Sequence, residues 1–197
     1  DPKKGHVENF NEYLTDFETV LTEIALPDCK APHYVLGHST GSLVALLAAP
    51  ALSNKIRRMV LVSPMLALEG LPMRQSTMQR ILGALSFVGL GRLFVPRDRS
   101  IANQTAFISN KLTSDTRRFE RNRAIALDVD ALAIKLPTIS WVFAACRAMA
   151  RVNAPGYSSA ISIPTLLIAA GNDTVVSPSV IEIFGKKMRS GAFLTIS

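Results

Sequence analysis

The chain has 197 residues, of which 48% are hydrophobic and 19% charged, enough apolar material for one sizeable core, and no internal repeat or low-complexity segment is visible. Two cysteines, Cys29 and Cys146, are too few and too far apart for a disulfide framework or a metal cluster and read as ordinary thiols. The formal net charge of +7 comes without an aromatic-interleaved basic platform, so no nucleic-acid partner is expected.

The opening Asp1–His6 leads straight into an amphipathic segment without a signal-peptide pattern, and the expectation is a cytoplasmic protein. Phe10, Leu14, Phe17, Leu21 and Ile24 recur at helical spacing and predict one apolar stripe. Asn9 with Glu12 three residues on gives a capping-box pattern. Ala25 and Leu26 finish this helix, and Pro27 is expected just past its end.

A short apolar run, Tyr34–Leu36, then meets Gly37-His38-Ser39-Thr40-Gly41, and Ser42–Ala49 favours helix. Strand, tight turn and helix is the order that a G-x-S-x-G nucleophile elbow requires. Three fixed positions are unspecific by themselves, and an ordinary glycine-rich turn is the competing reading. As an elbow, the strained turn admits only small residues two before and two after Ser39. The serine hydroxyl then stands clear of the sheet at a helix N-terminus, where the Thr40 backbone N–H can donate to a developing oxyanion.

Arg58–Pro64 reads as a buried strand stopped by proline, and strands alternating with helices point to a parallel α/β sheet. From about Ala67 to Pro155 the character becomes helical, with helices expected over roughly Ser114–Ala133 and Ile139–Arg151. The apolar part of Met78–Val95 is too short to span a bilayer. Arg117, Arg118, Arg121 and Arg123, near Lys111, form either a solvated helix face or a surface attracted to anionic lipid or phosphate-bearing substrates. The sheet pattern resumes at Ile163–Ala170, followed by Gly171-Asn172-Asp173-Thr174-Val175-Val176. An acidic residue just beyond the carboxyl end of a buried strand is well placed to reach the elbow, although a solvated turn is the plainer role. Val180–Met188 reads as a helix, and Gly191–Ser197 opens another strand.

The elbow at Ser39, the acid turn at Asp173 and the helical insertion between them resemble the α/β-hydrolase superfamily, in its lysophospholipase and monoacylglycerol-lipase-like branch. His38 before the serine fits that branch, and Asn110–Asp115, Arg118–Arg121 and Pro137–Trp141 resemble its lid. The resemblance implies a mostly parallel sheet flanked by helices, with a helical cap over 67–155. The hydrolase core would then be split into 1–66, with the elbow, and 156–197, with the acid turn. It also implies Ser39 as nucleophile, Thr40 as an oxyanion donor through its N–H, Asp173 as the acid that orients a catalytic histidine, and no metal or organic cofactor.

The histidines depart from that pattern. Such a triad runs Ser, Asp, His along the chain, yet His6, His33 and His38 all precede Asp173. The resemblance places the histidine in the loop after the strand begun by Phe193–Ile196, and a second oxyanion donor before Asp1. The chain is therefore expected to be an internal fragment, nearly inert alone, with a natural pseudoenzyme as the rival. The expected reaction is hydrolysis of carboxylic esters of lipid-like substrates, lysophospholipid or monoacylglycerol, with peripheral contact at an anionic membrane surface. The alternatives are a general small-molecule carboxylesterase and a non-catalytic binding protein of the same fold.

Overall fold

The computed structural model describes residues 4–71, 73–95, 107, 110, 112–128 and 136–196. The chain divides into two compact units, one of residues 1–8 and 79–143, the other of 9–78 and 144–197.

The second unit holds the sheet. It begins with α1 (Asn11–Thr19), which runs through a π-helical turn at Val20–Ala25 into α2 (Leu26–Asp28). The capping box forms as the spacing predicts. Asn9 N–H donates to Glu12 Oε1 at 3.0 Å, and Asn9 Oδ1 accepts from Asn11 N–H at 3.0 Å. The apolar stripe buries Phe10 and Leu21 but loses Ile24, which is exposed. A π turn closes i→i+5 rather than i→i+4 bonds, so it rotates the residues after Leu21 out of phase with the stripe. Pro27 falls inside the last helical turn rather than beyond it. Because α1, the π turn and α2 are continuous, it sits near the C-terminal end of the helix and cannot donate to an earlier carbonyl.

Among the described residues, four strands follow in one parallel sheet, in the order β1 (His33–His38), β2 (Ile56–Val62), β3 (Thr165–Ala170) and β4 (Gly191–Ile196). Between β1 and β2 runs α3 (Thr40–Leu52), and between β3 and β4 runs α8 (Pro178–Lys187). Right-handed crossovers in the same direction put both helices on one face. There Gly37, Leu61, Leu167 and Phe193 lie side by side in register, and Leu43, Leu46, Leu61, Leu167 and Ile181 are fully buried. On the other face Tyr34, Leu36, Leu194 and Ile196 remain exposed. β2 starts two residues before the expected Arg58 and ends at Val62, because Ser63 turns the backbone to φ 41°.

The first unit is helical. α4 (Gln75–Phe87) reaches into it, followed by a 3-10 turn at Leu90–Arg92, α5 (Thr116–Asp128) and α6 (Ile139–Val152), which continues into the sheet unit. The expected extension of α5 to Ala133, and Lys111 of the basic cluster, lie outside the described residues. The short α7 (Tyr157–Ala160) precedes β3. Among the described residues no helix is long and apolar enough to cross a membrane.

Candidate active site

Ser39 follows β1 directly and has φ 49° and ψ −116°. A non-glycine residue there lies outside the ordinary allowed regions, at a cost of roughly 1–3 kcal/mol, and holds that shape only when its surroundings over-determine it. Three backbone hydrogen bonds do so. Ser39 N–H donates to the Val62 carbonyl at 3.0 Å, and the Ser39 carbonyl accepts from Leu43 N–H and Met65 N–H, each at 3.2 Å. The result is a sharp strand-to-helix bend.

Glycine at 37 suits that bend by its size. A Cβ at 37 would lie 3.0 Å from both Leu61 Cδ2 and Ser42 Cα, because α3 folds back over the end of β1. The same steric reason does not hold at Gly41, where a Cβ would meet nothing within 4 Å. The expectation of small residues on both sides is thus corrected: the crowding is on the strand side alone.

Thr40 is the first residue of the 13-residue α3. Its N–H therefore has no intrahelical carbonyl to bond and sits at the positive end of the helix. Its hydroxyl lies 3.7 Å from the Met65 sulfur. That pairing leaves the amide as the group with donor capacity for a ligand.

Asp173 lies beyond β3, anchored by its N–H on the Ala170 carbonyl at 3.1 Å. Its Oδ1 accepts from Val175 N–H at 2.8 Å and Val176 N–H at 3.1 Å. Both bonds use Oδ1, so Oδ2 is the atom with capacity for a histidine N–H. The structure brings Ser39 and Asp173 to the same end of the sheet, each past the carboxyl end of its strand, with β2 between them. Two interstrand spacings separate those strand ends by about 10 Å, a gap that an imidazole can bridge.

None of the three histidines is placed by its own contacts to serve Ser39. His33 begins β1 at the opposite end of the sheet, and its Nε2 bonds the Cys29 carbonyl at 2.9 Å. His6 belongs to the helical unit, where its Nδ1 bonds Thr138 Oγ1 at 2.8 Å. His38 ends β1 one residue before the serine, and strand alternation turns its side chain to the other face.

Sequence reasoning missed the segment after β2. From Ser63 to Glu69 the chain runs past both loops. Met65 N–H bonds Ser39, Ser177 N–H donates to the Ala67 carbonyl at 3.0 Å, and Glu69 N–H donates to the Val175 carbonyl at 2.9 Å. Leu68 and Val176 form an antiparallel bridge. The Asp173 turn is therefore stitched to a strap that also grips the Ser39 bend. The Ser63-Pro64 pair was the available signal, and it reads only as a strand stop.

Comparison with known proteins adds the following. A family model described as "Hydrolase_4: Serine aminopeptidase, S33" matches residues 1–194. The chain is 25% identical over 182 residues to "Probable lysophospholipase L2" of Haemophilus influenzae, covering 92% of this chain and 56% of that protein. It is 26% identical over 185 residues to "Lysophospholipase L2" of Escherichia coli K12, covering 89% and 51%. The chain thus spans about half the length of these relatives. Among solved structures, a Paleococcus ferrophilus monoacylglycerol lipase aligns with a TM-score of 0.71 at 18% identity, covering 98% of this chain and 66% of that one. A soluble variant of monoglyceride lipase from Saccharomyces cerevisiae, solved with a substrate analogue, gives 0.68 at 19% identity, with coverage of 99% and 62%. At these identities the structures carry the fold, a mostly parallel α/β-hydrolase sheet flanked by helices.

Proposed function

The chain belongs to the Hydrolase_4 family, and on that premise we propose that the whole protein hydrolyses carboxylic esters of lipid-like substrates, lysophospholipid or monoacylglycerol, through an acyl-enzyme on Ser39. The observation that carries this reading is the strained backbone of Ser39 beside the Thr40 N–H, at the same sheet end as Asp173. The names of the relatives support the lipid-ester class.

In this reading Ser39 Oγ attacks the ester carbonyl and gives its proton to a histidine. That histidine is the one expected after β4. The carbonyl oxygen becomes an oxyanion held by the Thr40 N–H, with a second donor expected from an earlier strand of the fold. Collapse returns the proton to the departing alcohol and leaves an acyl ester on Ser39. Water, deprotonated by the same histidine, then frees the fatty acid. Asp173 Oδ2 orients the imidazole and stabilises its charged form. Without the base, most of a roughly 10⁶-fold triad contribution is missing, and one absent oxyanion donor costs about 3–4 kcal/mol more. The 197 residues alone are therefore proposed to be nearly inert.

The helical stretch 67–155 is proposed as the cap, and its exposed apolar side chains, led by Phe87 at 93% exposure, as the contact for an acyl chain or a lipid surface. We further propose that the whole protein works in the cytoplasm, peripheral at an anionic membrane.

The test compares the whole protein and its Ser39→Ala variant on p-nitrophenyl acetate, a monoacylglycerol and a lysophospholipid. Serine-dependent release of fatty acid from the two lipids supports the reading. Turnover confined to the acetate points to a general carboxylesterase, and no serine-dependent turnover points to a binding protein of the same fold.

A further inference from the structure

The strap after β2 has a role that follows from the geometry of one peptide bond. The peptide joining Ser39 to Thr40 is trans, so its C=O and N–H point in opposite directions in one plane. The Ser39 carbonyl accepts two hydrogen bonds, from Leu43 N–H in α3 and from Met65 N–H in the strap, each at 3.2 Å. Holding the oxygen at two points fixes the rotation of the plane, and with it the direction of the Thr40 N–H on the other side. Hydrogen bonds in series also polarise one another, so a carbonyl loaded in this way makes its own amide a stronger donor.

We propose that Met65 is a positioning residue, whose N–H clamps the Ser39–Thr40 peptide so that the Thr40 amide stays aimed and polarised for an oxyanion. Its side chain closes the same clamp, because the nearly buried Met65 sulfur accepts from the Thr40 hydroxyl at 3.7 Å. Met65 is in turn held from both sides. Ser63 leaves β2 at φ 41° with its N–H on the Ile168 carbonyl at 2.7 Å, and Asn153 Nδ2 donates to the Leu66 carbonyl at 2.8 Å. The strap then runs on to the acid turn through Ala67 and Glu69. Nucleophile, oxyanion donor and acid turn thereby share one rigid backbone connection. This inference rests on the reading of Ser39 as the nucleophile.

The experiment removes the Met65 N–H donor, and its one side effect is a weaker Pro64 carbonyl acceptor, which bonds Leu66 N–H. In the whole protein, Met65 is replaced by its α-hydroxy-acid analogue, which puts an ester in place of the Pro64–Met65 amide and keeps the side chain. The same exchange at Leu66, whose N–H bonds the Pro64 carbonyl at 2.8 Å and does not touch Ser39, serves as the comparison. The expected result at 65 is a fall in kcat per titrated serine of roughly 10- to 100-fold, with KM within about twofold. An upfield shift of the Thr40 ¹⁵N resonance should accompany it, and the Leu66 ester should show neither. Unchanged kcat per titrated serine at 65, or an equal loss at 66, overturns the clamp. A folded wild-type protein that hydrolyses nothing, but whose Thr40 resonance responds to the ester at 65, supports the clamp and sinks the hydrolase reading instead.

Discussion

Gly37 and Ser42 are packed backbone to backbone, so that a Cβ at 37 would lie 3.0 Å from the Ser42 Cα and 3.1 Å from its nitrogen. Neither atom belongs to a flexible side chain that could move aside. Gly37→Ala should therefore push α3 off the strand end and cost about 1–3 kcal/mol in denaturant unfolding. Gly41→Ala meets open space in a helix and should raise stability by about 0.5–1 kcal/mol. Equal effects at the two glycines would contradict this packing.

Substitution can separate the structural role of Asp173 from the catalytic one proposed for it. Its Oδ1 holds the turn by accepting two amides, and its charge is available to a histidine. Asp173→Asn keeps an acceptor oxygen, so the melting temperature should change little while kcat of the whole protein falls by about 10⁴. Asp173→Ala should also lose about 1–3 kcal/mol of stability as the turn amides go unpaired. An active Asn variant would remove Asp173 from the mechanism.

Burial pushes the Tyr157 phenol above its usual range, against the opposing charge of Arg151. The neutral phenol donates to the Leu46 carbonyl at 3.2 Å. A folded value above the unfolded one means the unfolded state ionises first. The associated stability is then present below a pH of about 10 and lost as the pH rises through the folded value. Cys146, also raised by burial, adds a loss of the same sign. Unfolding free energies at pH 9 and 11 should show a smaller drop for Tyr157→Phe than for the parent chain.

Phe87 is exposed at the end of α4. Phe87→Ser should leave p-nitrophenyl acetate turnover within about twofold, since surface changes away from a site are small. It should raise the apparent KM for a dispersed long-chain lipid. Identical changes on both substrates would remove this side chain from lipid contact.

Much of this architecture is legible in the residues because the signals are local. Small residues at 37 and 41 flank the serine, a buried β-rich run precedes Asp173, and Asn9 meets Glu12 at capping distance. What escaped is what depends on long-range contact. Nothing in Ser63–Glu69 announces that its amides bond Ser39 and Val175, since backbone groups carry no sequence signature. The π-helical turn that drops Ile24 from the stripe is equally silent in a pattern read at 3.6 residues per turn. The steric reading of Gly41 failed for the opposite reason: the motif treats the two glycines alike, and only packing separates them.

The most direct measurement is intact-mass and peptide mapping of the whole protein after exposure to a fluorophosphonate, which forms a Ser Oγ–P bond with loss of fluoride. The account predicts one adduct, on the peptide carrying Ser39, absent from Ser39→Ala and strongly slowed in Asp173→Asn. A folded whole protein that stays unlabelled, or that is labelled at another residue, would contradict it.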